Sequence, residues 1–164
     1  SGDSGIYGMA ALLYELRGEN HTPDIDVIPG LTAACSGASV LGAPLTHDFA
    51  VVSLSDRLTP WEKIESRLTL AAQADFSIAI YNPASHGRPD HLKRAVEILL
   101  RVLPEDRPCG IVRNIGRDGE SRRILTLGEL KTADVDMFCT VFIGNASTKV
   151  IAGELITPRG YRDV

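Results

Sequence analysis

Gly2-Asp3-Ser4-Gly5-Ile6-Tyr7-Gly8 and Val27-Ile28-Pro29-Gly30-Leu31-Thr32-Ala33 are two glycine turns, each running into an apolar segment. Glycines this dense permit positive φ angles and close backbone approach. After the first turn, Ile6, Met9, Leu12, Leu13 and Leu16 follow helical spacing, so a helix is predicted over Ile6–Leu16 with Gly18 as its stop. A helix start fed by such a loop attracts anions and polar ligands. Asp3 fits two roles, the N-cap of that helix or an acceptor for a ligand amine or hydroxyl. Before the second turn, Ile25–Ile28 reads as a strand. After it, Leu31–Leu41 reads as a helix of Ala, Ser and Gly, small enough to pack closely on a sheet. Thr32 can cap that helix or turn its hydroxyl toward a ligand. Loop, helix, strand, turn and helix in this order are the rhythm of a parallel α/β layer.

Working outward, Gly42-Ala43-Pro44 breaks the pattern. Phe49–Leu54 is a predicted strand. Thr59-Pro60-Trp61-Glu62 predicts a capping box at the head of a helix reaching Gln73. Phe76–Tyr81 is an apolar strand ending at Asn82-Pro83, and strand ends of this kind line clefts in α/β folds. A polar loop, Ala84–Pro89, leads to a helix over Asp90–Leu103. Strands follow at Pro108–Arg113, Arg123–Leu127, Met137–Ile143 and Ile151–Ile156, with a short helix opened by Thr126 and Glu129. Short, adjacent late strands predict a mixed sheet. The expected architecture is α/β with two domains: a parallel part over 1–45 and a mixed-sheet part over 46–164.

Composition bounds the function. The chain has 164 residues, 44% apolar and 23% charged, with a net charge of −4. That balance gives no reason to expect nucleic acid as a partner, and no apolar run is long enough to span a bilayer. Cys35, Cys109 and Cys139 are odd in number and widely spaced, which suggests neither a disulfide framework nor a zinc site. They read as small buried side chains in a reducing, cytoplasmic setting. His21, His47, His86 and His91 lack metal-ligand spacing, so no metal is expected.

Taken in order, the motifs resemble the tetrapyrrole methylases. Residues 1–10 are similar to the family's Gly-Asp-Pro loop, with Ser4 where many relatives carry proline. Val27–Ala33 is similar to its Pro-Gly-x-Thr turn. Leu45–Phe49, Ser53–Asp56, Leu58–Trp61, Tyr81–Pro83, Gly110–Asn114, Val135–Phe138 and Thr157–Tyr161 narrow the likeness to the branch acting on corrin precursors. The family's early glycine-rich loop is absent, so the resemblance implies the rear of a first domain and all of a second.

The resemblance further implies methylation of a corrin precursor at C17 with ring contraction, in cobalamin biosynthesis, using S-adenosylmethionine and leaving S-adenosylhomocysteine. By carry-over, Gly2, Asp3, Ile6, Thr32, Ala33, Tyr81, Asn82 and Gly110 would line the donor cleft. Arg88, Arg113 and Arg117 would meet the acceptor's carboxylates. His47 and Asp48 would serve as acid or base, and a homodimer is expected. A sister methylase with another substrate and a non-catalytic form of the fold are the alternatives.

Overall fold

A computed structural model describes residues 2–20 and 23–161; Ser1 and His21 lie outside them. The elements run α1 (Ala10–Arg17), a 3-10 turn (Gly18–Asn20), α2 (Ala33–Leu41), β1 (Gly42–Ala43), β2 (Phe49–Ser53), α3 (Trp61–Gln73), β3 (Ser77–Tyr81), α4 (His91–Leu99), β4 (Pro108–Arg113), β5 (Ser121–Thr126), α5 (Leu127–Leu130), β6 (Cys139–Ile143), β7 (Lys149–Ile151) and β8 (Glu154–Ile156). The larger sheet has the order β2-β3-β6-β4-β5. Only β2 and β3 are parallel, and the remaining pairs are antiparallel. The fold is the expected α/β with a mixed sheet.

Strand alternation splits the core between two faces. Ile78, Ile80, Cys109, Ile111, Val141 and Ile143 pack beneath α3, α4 and α5. Ala79, Val112 and Phe142 pack beneath α2. In register, Phe142 lies between Ala79 and Gly110. One large residue flanked by two small ones makes a ridge, and α2 fits over it with Gly37 above Phe142 and Leu41 beside it above Gly110. A Cβ on Gly37 would meet Phe142 Cζ at 2.8 Å, and one on Gly110 would meet Leu41 Cδ1 at 2.6 Å. The small-residue helix therefore packs as closely as its composition predicted.

A second sheet, β1-β8-β7, joins distant parts of the chain. Gly42-Ala43, read as a break, pairs in parallel with Leu155-Ile156. Ile151–Ile156 is not one strand: Ala152 and Gly153 both take positive φ, at 50° and 81°, and form the two-residue turn of the β7–β8 hairpin. Arg122 binds Glu154 and donates to Val40 O at 2.7 Å, which fastens β5 to β8 and to the end of α2.

Other boundaries also differ from expectation. The first helix starts at Ala10, since Tyr7 sits at φ 51°, outside helical space. Ile25–Ile28 is not a strand, because no described segment pairs with it; Ile28 is 82% exposed. Thr59 makes no capping box. Pro60 occupies the N-cap, which puts Lys63 rather than Glu62 at the third helical position. Thr126 and Glu129 do form a capping box, at the head of α5. The helix from His91 ends at Leu99 and closes in a turn with Leu103 N donating to Leu99 O at 2.8 Å. Cys109 and Cys139 are buried as expected, but Cys35 is exposed. No helix among the described residues is long and apolar enough to cross a membrane.

Candidate active site

The two glycine turns touch. The Asp3 carboxylate accepts from Gly5 N at 2.7 Å and from Gly30 N at 2.9 Å. Gly2 takes φ 84°, and a Cβ on Gly30 would lie 2.3 Å from Gly2 O. Only glycine permits this approach. The N–H of Gly30, then that of Gly5, holds the Asp3 carboxyl below its ordinary range. Asp3 is thus not an N-cap, since α1 begins at Ala10 with Met9 at its cap. Its carboxylate is turned onto its own chain and clips the two turns together.

Tyr81 does a second piece of joining. Its hydroxyl accepts from Ala34 N at 2.6 Å and lies 2.5 Å from Thr32 Oγ1. Thr32 is the N-cap of α2 but makes no side-chain cap bond. The phenol from β3 caps the second helical N–H instead, a donor that would otherwise lack an intrahelical partner. Tyr7 packs beside it, ring centroids 5.6 Å apart. The Tyr7 hydroxyl donates to Val51 O at 3.1 Å and accepts from Ser53 N at 3.2 Å, covering the free edge of β2. At the end of β3, Asn82 takes φ 53° and donates to Ser53 Oγ at 2.9 Å.

These contacts frame a cleft of about 220 Å³ at the start of α2. Gly2, Leu31, Ala33 and Ser36 form one wall; Asn114, Ile115, Arg117, Met137 and Phe138 form the other. The Arg117 guanidinium lies 5.8 Å from the centre of the Phe138 ring. Small groups on one side and apolar groups on the other leave a slot suited to a flat ring system with a polar edge.

Of the residues picked out in the sequence, Gly2, Ala33 and Arg117 line this cleft. Asp3, Thr32 and Tyr81 stand behind its wall and hold it. Ile6 is 43% exposed on the first turn, outside the cleft lining. Asn82 follows the end of β3 and lies outside the cleft lining. Gly110 lies outside this lining: it is buried in mid-strand against Leu41, where its lack of a side chain serves helix packing. His47 and Asp48 also lie outside it. Both are exposed at the entry to β2, the end opposite Ser53 and Asn82, and Asp48 O accepts from Ser77 N at the entry to β3. A strand length therefore separates them from the cleft.

The three arginines do not converge. Arg88 Nε lies 2.6 Å from Asp56 Oδ1, and Arg113 is paired with Asp134 at 3.2 Å and Asp136 at 3.6 Å. Tyr7, Ser36, Met137 and Phe138 were missed as site residues. For Tyr7 the signal was an aromatic inside a glycine loop. For Met137 and Phe138 the signal is two large apolar residues that the strand pattern over Met137–Ile143 absorbs, although β6 begins at Cys139.

The model for Tetrapyrrole (Corrin/Porphyrin) Methylases matches residues 1–131. The chain belongs to the tetrapyrrole methylase family. A probable cobalt-factor III C(17)-methyltransferase of Salmonella typhimurium is 48% identical over 162 residues, covering 98% of this chain and 67% of that relative. A precorrin-3B C(17)-methyltransferase of Sinorhizobium sp is 41% identical, covering 98% of this chain and 66% of the relative. The chain thus spans about two thirds of the length of these relatives. Among solved structures, the crystal structure of the methyltransferase CobJ superposes with a TM-score of 0.88 at 36% identity, over 96% of this chain and 67% of that one. A uroporphyrin-III C-methyl transferase from Thermus thermophilus, complexed with S-adenosyl homocysteine, shares the fold at 24% identity and TM-score 0.63, over 87% of this chain and 60% of that one.

Proposed function

We propose that this tetrapyrrole methylase chain carries the donor cleft of a methyltransferase that acts at C17 of a corrin precursor, with ring contraction, in cobalamin biosynthesis. The observation that carries the reading is the clipped pair of glycine turns at the head of α2, with the cleft directly beside it. The acceptor is at the cobalt-factor III or precorrin-3B stage, for which the relatives are named.

The residues present fit S-adenosylmethionine. Gly2, Ala33 and Ser36 leave room for a flat base against Ile115 and Phe138, and Arg117 and Asn114 offer polar groups at the same cleft. When bound, the donor supplies an electrophilic methyl on a sulfonium centre. The protein's part is to hold donor and acceptor in register, which accounts for a large share of such a rate. Asp3 and Tyr81 do this indirectly, by fixing the two turns and the start of α2. Met137 and Phe138 give one side of the cleft an apolar surface. Cys109 and Cys139, both unpaired, suit a reducing compartment and support a cytoplasmic location. The apolar residues that remain exposed on α1 and its cap, Leu12, Leu13, Leu16 and Met9, support a homodimer.

Calorimetric titration with S-adenosylhomocysteine tests the reading. The chain binds it, and Ala33→Leu, which fills the cleft, lowers the affinity by at least about tenfold. Absence of binding by the unaltered chain would refute the donor-cleft reading.

A further inference from the structure

The loops leaving the carboxyl ends of β2 and β3 are tied together twice. Next to the strands, Asn82 is bonded to Ser53 at 2.9 Å. Farther out, Asp56 reaches Arg88 of the other loop and His91, the first residue of α4. Its Oδ1 lies 2.6 Å from Arg88 Nε, and its Oδ2 lies 3.2 Å from His91 Nε2. His91 is only 8% exposed, with its ring edge-on to Trp61 at 4.9 Å. Arg94 covers Trp61 at 3.9 Å. Asp56 is therefore anchored against a packed aromatic group.

What Asp56 holds is a tight turn. Arg88 N donates to Ser85 O at 2.8 Å and Ser85 N to Arg88 O at 3.3 Å, with His86-Gly87 at the tip. Ser85 and His86 wall a second cavity, of about 640 Å³, and Met137 and Phe138 line it too. Those same two residues line the donor cleft. The cavities share one wall, and the second is the larger. Group transfer requires two bound molecules in adjacent sites, and the larger cavity falls within the roughly 300–1,000 Å³ typical of ligand pockets.

We propose that Asp56 is a positioning residue for the tetrapyrrole acceptor, acting through Arg88 and His91 to fix the Ser85–Arg88 turn as a wall of the acceptor's cavity. The inference rests on the methyltransferase reading above. Asp56 itself touches neither ligand. Its effect is that the turn loses its conformational freedom on folding rather than on binding. Arg88 becomes an internal partner of Asp56 instead of a hand for the acceptor's carboxylates.

The test uses two probes on the whole chain: S-adenosylhomocysteine by calorimetry and uroporphyrin, a stable acidic tetrapyrrole, by fluorescence quenching. Asp56→Asn and Arg88→Ala each weaken uroporphyrin about tenfold, and the double variant is no worse than either alone. S-adenosylhomocysteine affinity stays within about twofold. Asp56→Glu, which keeps the carboxylate, restores uroporphyrin binding. Unchanged uroporphyrin affinity in Asp56→Asn overturns the proposal. So does a parallel fall in both affinities with the melting temperature, which marks general destabilisation. An unaltered chain that binds S-adenosylhomocysteine but not uroporphyrin also overturns it and leaves the donor cleft standing. An unaltered chain that does not bind S-adenosylhomocysteine removes the functional reading itself.

Discussion

The Asp3 carboxylate accepts the backbone N–H of Gly30 at 2.9 Å, across 27 residues of chain. Two turns that are far apart in sequence are made one surface by this bond. Asp3→Ala is expected to weaken S-adenosylhomocysteine binding by about tenfold while leaving the melting temperature nearly unchanged, because the bond is exposed and lies outside the packed core. Asp3→Asn keeps an acceptor and loses less. Calorimetry beside thermal melting checks both.

The same bond sets a pH limit. The folded-state pKa of Asp3 is depressed below its ordinary 3.8 by the N–H groups of Gly30 and Gly5. Its contribution is then fully present above the unfolded value and is lost as pH falls through the lower folded value. Donor-product affinity is expected to lose nothing through Asp3 between about pH 8 and pH 5. A loss in that window that Asp3→Asn abolishes would contradict the clip.

Tyr81→Phe removes the acceptor for Ala34 N and the partner of Thr32 Oγ1. A helix N–H left without a partner costs about 1–3 kcal/mol. For a chain of this size that lowers the melting temperature by roughly 2–4 °C per kcal/mol. Donor-product affinity falls as well, since the head of α2 loosens. A Tyr81→Phe chain melting with the unaltered one would show that water replaces the phenol without loss.

Gly37 and Phe142 oppose each other across the α2–sheet contact. Gly37→Leu forces the helix away, at about 1–3 kcal/mol for overpacking. Phe142→Ala leaves a hole at a position with 0% exposure, at about 3–5 kcal/mol. Denaturant melts measure both, and Phe142→Ala is expected to be the worse.

Thiol labelling distinguishes the three cysteines. Burial pushes the Cys109 thiol up to about 12, and Cys139 is also raised by burial. Cys35 is exposed. At pH 8 one equivalent of a disulfide reagent reacts quickly, and the other two react only on unfolding. Cys35→Ser removes the fast phase.

The fold was legible where the pattern was strong and local. Apolar strands such as Phe76–Tyr81 are legible within a residue, and the pair Thr126 and Glu129 marks the opening of a short helix, though the capping box they form is not read from it. Failures came where distant residues decide. Ile25–Ile28 has strand residues but no described neighbour to pair with, and Gly42-Ala43 becomes a strand only because Leu155-Ile156 lies alongside. In the site, the turns and Ala33 were visible as motifs. That Asp3 would bind Gly30, or that Gly110 would be roofed by Leu41, depends on three-dimensional approach, which spacing does not encode. The same holds for His47 and Asp48, whose neighbourhood is set by the direction of β2.

The small sheet ties α2 to the far end of the chain. Gly42-Ala43 pairs with Leu155-Ile156, and Thr157 Oγ1 donates to Pro44 O at 2.7 Å. During synthesis the helix that carries the cleft emerges before its anchor, which leaves the ribosome more than a hundred residues later. Contacts this distant close late. The cleft is thus completed only after nearly all of this sequence has been translated, so a nascent chain stalled short of β8 presents its glycine turns unseated.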